Sequence, residues 1–194
     1  MQIPDNAVLL IIDVQKAIDH PKWGVRNNPH LEANLQKLLE RWRQRVWPVY
    51  HVAHDSTESG STYRPGQWGN EFKPEVQPRT GERIIRKSTT NAFVGTGLEN
   101  QLREKGLSTV VICGVITNNS VEATARMAGN LGFQTYLVSD ATATFGKRDL
   151  RGQWWDADDV HHLSLANLDG EYATVVTTAQ VLAGLSTNLT DNTK

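Results

Sequence analysis

The sequence predicts an α/β fold, a six-stranded and mostly parallel sheet flanked by helices, and three observations carry that prediction. Short apolar runs bounded by turn residues alternate with segments of helical period, the pattern of strands joined by covering helices. The first run, Ala7–Asp13 (AVLLIID), has no polar alternation, so both its faces are expected to be buried, as inside a parallel sheet. The length of 194 residues, with 39% hydrophobic and 21% charged, suits one globular unit with a sizeable core.

Each element follows in turn. After the first strand, Leu31, Leu35, Leu38, Leu39 and Trp42 recur at intervals of three and four, which predicts an amphipathic helix over Leu31–Arg45. Trp47–Ala53 reads as the second strand. Asp55–Glu82 holds three prolines and four glycines with no sustained period, so it is expected to be a long irregular loop. Loops of that length are usually functional covers or mobile segments, and Tyr63, Trp68 and Phe72 are more than a solvated linker needs. Arg83–Lys87 is a short third strand, Leu98–Lys105 a helix closed by Gly106, and Thr109–Gly114 a fourth, buried strand. Ser120–Leu131 has helical spacing and stops at Gly132; Phe133–Ser139 is a fifth strand, Ala157–Leu168 a helix and Tyr172–Thr177 the sixth strand. A last short helix completes a single domain over 1–185, followed by a polar tail over 186–194.

Composition excludes several classes of partner. Lys and Arg number 20 against 21 Asp and Glu, a net charge of −1, so the cationic excess that drives binding to nucleic acid or anionic membrane is missing. The longest apolar stretch, Ala7–Ile12, falls far short of the ~20 residues a membrane span needs. The amino terminus lacks a basic segment and a small-residue cleavage site, and the one cysteine, Cys113, has no partner for an internal disulfide. A cytoplasmic location is therefore expected.

In an open α/β sheet, ligands bind beyond the carboxyl ends of the strands. Asp13 and Lys87 each put a charge at the end of an apolar strand, where burial is costly unless the charge is paired. After the fourth strand comes Gly114-Val-Ile-Thr-Asn-Asn-Ser120 and then a helix. A side chain there sits at the positive helix end, which favours a developing oxyanion and suits a nucleophile. Ser120 reads equally well as an ordinary N-cap.

Four separated phrases, LLIIDVQKA (Leu9–Ala17), RKSTTNAFVGTGLENQL (Arg86–Leu102), VVICGVITNNSVEATARMAGNLGF (Val110–Phe133) and LVSDATATF (Leu137–Phe145), resemble the isochorismatase-like, or cysteine hydrolase, superfamily. The resemblance spans about residues 6–183. It implies a Rossmann-like parallel sheet of six strands, the isochorismatase-like hydrolase fold, in a group that includes isochorismatases, nicotinamidases and carbamoyl- or ureido-amide hydrolases. It further implies Asp13 as general base, Lys87 as the family's lysine, and Ser120 at the position of the nucleophilic cysteine. The amides of Ile116 and Ser120 would form the oxyanion hole, with a cis peptide at Val115–Ile116. His54, Trp68, Phe93 and Thr117 are expected to line the substrate pocket. A small-molecule substrate, no cofactor, and a dimer or tetramer of identical chains complete what the resemblance implies.

The chain departs from the family pattern at the nucleophile. Ser120 stands where a thiol is expected, and Cys113 lies inside a buried strand and cannot replace it. A hydroxyl is far less acidic than a thiol. Three readings are open: an engineered Cys→Ser replacement, a natural member working through Ser120, or chemistry that needs no nucleophile. The isochorismatases that cleave a vinyl ether set a precedent for the last, lacking the cysteine and using the aspartate as acid. The leading expectation is metal-independent hydrolysis of an amide or ureido C–N bond. Vinyl-ether hydrolysis by Asp13 and a non-catalytic binding protein are the alternatives.

Other signals are weaker. His51, His54 and Asp55 invite a metal, but Ser56 and Thr57 follow Asp55 where the nicotinamidase branch has an Asp-x-His pair, so no metal is expected. Gly95-x-Gly97 lacks the third glycine of a dinucleotide fingerprint, the position being Asn100. His161 and His162 read as one buried and one exposed neighbour, and Arg126 as an ion-pair partner. Trp154 and Trp155 suit either contact with a neighbouring chain or cover for their own core.

Overall fold

The computed structural model describes residues 2–185, so the tail expected over 186–194 lies outside the described residues. The strands are β1 (Val8–Ile12), β2 (Val49–His54), β3 (Arg83–Lys87), β4 (Thr109–Val115), β5 (Gln134–Ala143), β6 (Lys147–Arg148), β7 (Trp154–Trp155) and β8 (Thr174–Val176). The helices are α1 (Leu31–Gln44), α2 (Leu98–Glu104), α3 (Glu122–Asn130), α4 (Ala157–Ala166) and α5 (Thr178–Leu185). Six strands form one sheet in the order β3-β2-β1-β4-β5-β8, every neighbouring pair parallel. The chain runs outward from β1 to β3 and then returns to place β4 on the other side of β1. The strand order therefore reverses between β1 and β4, where the carboxyl edge opens a crevice.

The apolar run of β1 divides between two cores because successive side chains leave a strand on opposite faces. Leu9 and Ile11 join the core under α1 and α5, while Val8, Leu10 and Ile12 join the one under α2 and α3. All five are buried, as the unbroken run implied. The α1 stripe Leu31, Leu35, Leu38, Leu39 and Trp42 is buried as well. Each such side chain contributes about 1.5–3 kcal/mol. The Trp42 indole also donates to the Ala7 carbonyl at 2.7 Å, so the burial leaves no polar orphan there.

One strand boundary needs correction, and one pair of open alternatives narrows. β5 continues past Ser139 to Ala143 because its pairing jumps from Ile112–Leu137 to Gly114–Thr142, leaving an irregular stretch that contains the polar Ser139 and Asp140. Those two side chains find partners far along the chain, Ser139 donating to the Val176 carbonyl and Asp140 accepting from the first turn of α5, so polarity that looked like a strand end is satisfied inside the fold. The segment around Trp154 and Trp155 forms a small antiparallel hairpin, β6–β7. Both indoles are about half exposed, so they do not cover their own core.

The 55–82 segment is an ordered cover. The Asn70 amide donates to the carbonyls of His54 and Tyr63 and to the Asp55 carboxylate, and Gln15 reaches the carbonyls of His54 and Asn70. Lys73, almost wholly buried, pairs with Asp19 and Glu32, tying the cover to the chain after β1 and to α1. No helix among the described residues is long and apolar enough to cross a membrane.

Gly114 is the glycine this architecture needs most. It adopts a φ of +115°, and a Cβ there would strike the Ile12 carbonyl of β1. Gly114→Ala is expected to destabilise the protein by about 2 kcal/mol or more. Gly132→Ala, in open space with φ +79°, should cost less. Urea denaturation midpoints of the two variants test the ranking.

Candidate active site

The strand ends bring three distant residues together. Asp13 follows β1 directly in the left-handed region (φ 52°), a conformation Asp tolerates better than most residues. Lys87 is the last residue of β3, two strands away, and its long side chain spans the gap across β2. Ser120 lies in a wide π turn, Thr117–Val121, that joins β4 to α3. Asp13 and Lys87 are each 3% exposed and Ser120 8%.

An ammonium has three protons, and Lys87 directs each to a different acceptor. Its Nζ donates to Asp13 Oδ2 at 2.7 Å, to the Thr89 carbonyl at 3.0 Å and to Ser120 Oγ at 3.4 Å. Asp13 Oδ1 is buried with no hydrogen-bond partner among the described residues. Burial pushes the Asp13 carboxyl above its ordinary pKa, more than the Lys87 charge pulls it back. His54 is driven the other way, first by burial and then by the Lys87 charge, so its imidazole is neutral near pH 7.

Ser120 is not an N-cap. The residue preceding α3 is Val121, no side chain caps either α3 or the turn before it, and the Ser120 hydroxyl faces Lys87 instead. The peptide bond Val115–Ile116 is cis.

A cavity of about 300 Å³ opens over these groups. Asp13, Ile116 and Ser120 are in its lining, as are the aromatic rings of Trp23 and Tyr63 and the imidazole of His54. Ser56, Ser61, Ser88, Thr89 and Glu58 add polar groups to the lining. Trp23 stacks on Phe145 at 5.6 Å and meets Tyr63 edge-on at 6.5 Å, so the aromatic wall is braced from behind. Sequence reasoning missed Trp23. The available signal was an aromatic ring in the short Pro21–Gly24 connection, where a solvated linker has no use for one.

Of the four residues expected to line the pocket, His54 does and three do not. Trp68 is 57% exposed outside the cavity, with Lys16 Nζ 5.7 Å from its ring. Phe93 stacks on Phe133 at 5.8 Å, held there because Asn91 bonds both the Phe93 amide and the Ala123 carbonyl of α3. Thr117 is fully buried and its hydroxyl meets His161 Nδ1 at 2.9 Å, so it faces α4 rather than substrate space. Nearby groups that invited a metal are engaged elsewhere: His51 with Glu82 at 2.8 Å, and Asp55 with Arg86 at 2.8 Å. His161 is buried and His162 exposed, and Arg126 pairs with Glu122.

The chain is similar to several known proteins. The family described as the isochorismatase domain matches residues 7–180. The isochorismatase family protein YrdC of Bacillus subtilis is 46% identical over 178 residues, 92% of this chain and 95% of its own. A crystal structure from Chromobacterium violaceum, described as a hydrolase of the isochorismatase family, superposes with a TM-score of 0.92 at 53% identity, covering 95% of this chain and 96% of its own. Nicotinamidase 3 of Arabidopsis thaliana is 28% identical over 183 residues, 88% of this chain and 84% of its own.

Thiol reactivity makes the site geometry testable without a substrate. Cys113 is fully buried, donates to the Leu10 carbonyl, and has its pKa pushed up by burial, so it should resist alkylation in the native protein. Ser120→Cys is expected to add one thiol that iodoacetamide modifies rapidly near pH 7, read by intact mass. An introduced thiol as slow to react as Cys113 would contradict an open site.

Proposed function

The chain belongs to the isochorismatase family of hydrolases, and from that premise we propose that it hydrolyses the C–N bond of a small amide or ureido compound through Ser120, without a metal. The observation that carries this reading is the single ammonium of Lys87 shared between the Asp13 carboxylate and the Ser120 hydroxyl at the base of the cavity. Because Oγ accepts from Lys87, negative charge developing on it is stabilised, and Asp13 Oδ1 is left as the acceptor for the hydroxyl proton. A carboxylate whose pKa is raised is also a better base than an ordinary one.

In this mechanism Oγ attacks the carbonyl carbon as its proton passes to Asp13, and the amides of Ile116 and Ser120 stabilise the resulting oxyanion. Collapse breaks the C–N bond, with Asp13 returning the proton to the leaving nitrogen. Water, deprotonated by Asp13, then attacks the acyl carbon, and as the C–Oγ bond breaks Asp13 gives the proton to Oγ, which releases the acid and restores the enzyme. The cavity volume of about 300 Å³ suits a small substrate, and the name of the Arabidopsis relative is that of an amidase.

The raised pKa of Asp13 favours a second reading as well, in which the protonated carboxyl gives its proton to a vinyl ether and Ser120 only lines the pocket. The two readings predict opposite responses to pH. A base must be ionised, so amide hydrolysis falls as pH drops through a pKa above the usual carboxylate range. A proton donor must be neutral, so vinyl-ether cleavage falls as pH rises through it.

The deciding assay uses a panel of small amides, ureido compounds and isochorismate. Ser120→Ala should lower amide turnover about 10²-fold or more, and Asp13→Asn by about 10²–10⁴-fold. Isochorismate cleavage that survives Ser120→Ala but not Asp13→Asn would replace the first reading with the second.

A further inference from the structure

The opposite ends of β2 and β3 carry a second cavity, of about 610 Å³. It opens at the amino ends of the strands whose carboxyl ends present His54 and Lys87. Tyr50 and Arg83 are in register on these parallel neighbours, so their side chains leave the sheet on one face. Lys105, one residue past α2, holds its Nζ 5.9 Å from the Tyr50 ring.

Two independent features of this cavity point to a ligand. The first is charge. Arg79, Arg83 and Lys105 contribute to the lining, and among the described residues none of their three side chains forms a salt bridge with a carboxylate. The carboxylate in the lining, Glu82, is already held by Arg43, by His51 and by the Arg79 backbone amide. The second is Tyr50, which is 1% exposed and whose phenol oxygen is buried without a hydrogen-bond partner among the described residues. A buried hydroxyl left in that state costs about 1–3 kcal/mol. Burial also keeps it protonated, and hence a donor.

We propose that this cavity binds a small organic phosphate monoester, with phosphoryl oxygens accepting from Tyr50, Arg83 and Lys105 and the organic body resting on Trp47 and Pro48. Three unpaired cations match a dianion better than a monoanion, and a guanidinium fork fits phosphoryl oxygens. The volume and the apolar wall leave room for more than a bare ion. The site lies at the other edge of the sheet from Ser120, so its occupant is distinct from the substrate.

Calorimetric titration of the full chain with phenyl phosphate, at fixed ionic strength, tests this. Saturable binding at one site is expected, and it should persist in Ser120→Ala. Arg83→Ala should weaken it about tenfold and Tyr50→Phe several-fold, with thermal melts confirming that both variants are folded. Phenylacetate, a monoanion, should bind at least about tenfold more weakly. No saturable binding, affinity unchanged in both Arg83→Ala and Tyr50→Phe, loss of binding in Ser120→Ala, or equal affinity for phenylacetate would each overturn the proposal.

Discussion

The Asp13–Lys87 ion pair is the interaction on which the rest of the site depends. Both side chains are almost wholly out of water, and each is tolerated there only because the other is 2.7 Å away. Removing one would leave a buried charge uncompensated, so the strand order that places β3 two positions from β1 and the reach of the lysine across β2 are both constrained by this contact. The pair is also incomplete in a useful way. Lys87 has protons for three acceptors and Asp13 keeps one oxygen free, so charge is neutralised while acid–base capacity remains.

Ser120 can share that lysine only because its turn is clamped from several directions. Thr117 meets His161 of α4, whose ring is kept neutral with its pKa down to about 4, chiefly by burial. Thr144, at the end of β5, donates to the Asn118 side chain, and Ser164 of α4 donates to Glu122 at the start of α3. Asn91 and Ala92, beyond β3, bond to Ala123 and Thr124. The π turn is thus gripped by chain that follows β3, by β5 and by α4, which fixes Oγ relative to Lys87. Thr117, which reads in sequence as a pocket residue, does its work facing the other way.

The fold class and the order of its elements were legible because they rest on local signals. An unbroken apolar run means burial on both faces, and a 3.6-residue period means one buried helical stripe; neither needs knowledge of distant residues. Asp13 and Lys87 were legible for a related reason, since a charge ending an apolar strand has few places to go. The boundaries that slipped, such as the extension of β5 through Ser139 and Asp140, are those where polar residues find partners only in the folded chain.

By itself the sequence determined the parallel α/β architecture, the two buried faces of the sheet, and which charged and hydroxyl residues lie at the carboxyl ends of the strands. Only the tertiary structure decided which side chains around those ends face the cavity. Trp23 and Tyr63 line it with His54, whereas Trp68, Phe93 and Thr117 turn elsewhere. The physical reason is that side-chain direction in loops and turns has no period. It follows from long-range contacts, such as Phe145 behind Trp23 and His161 beside Thr117, that join residues more than forty positions apart.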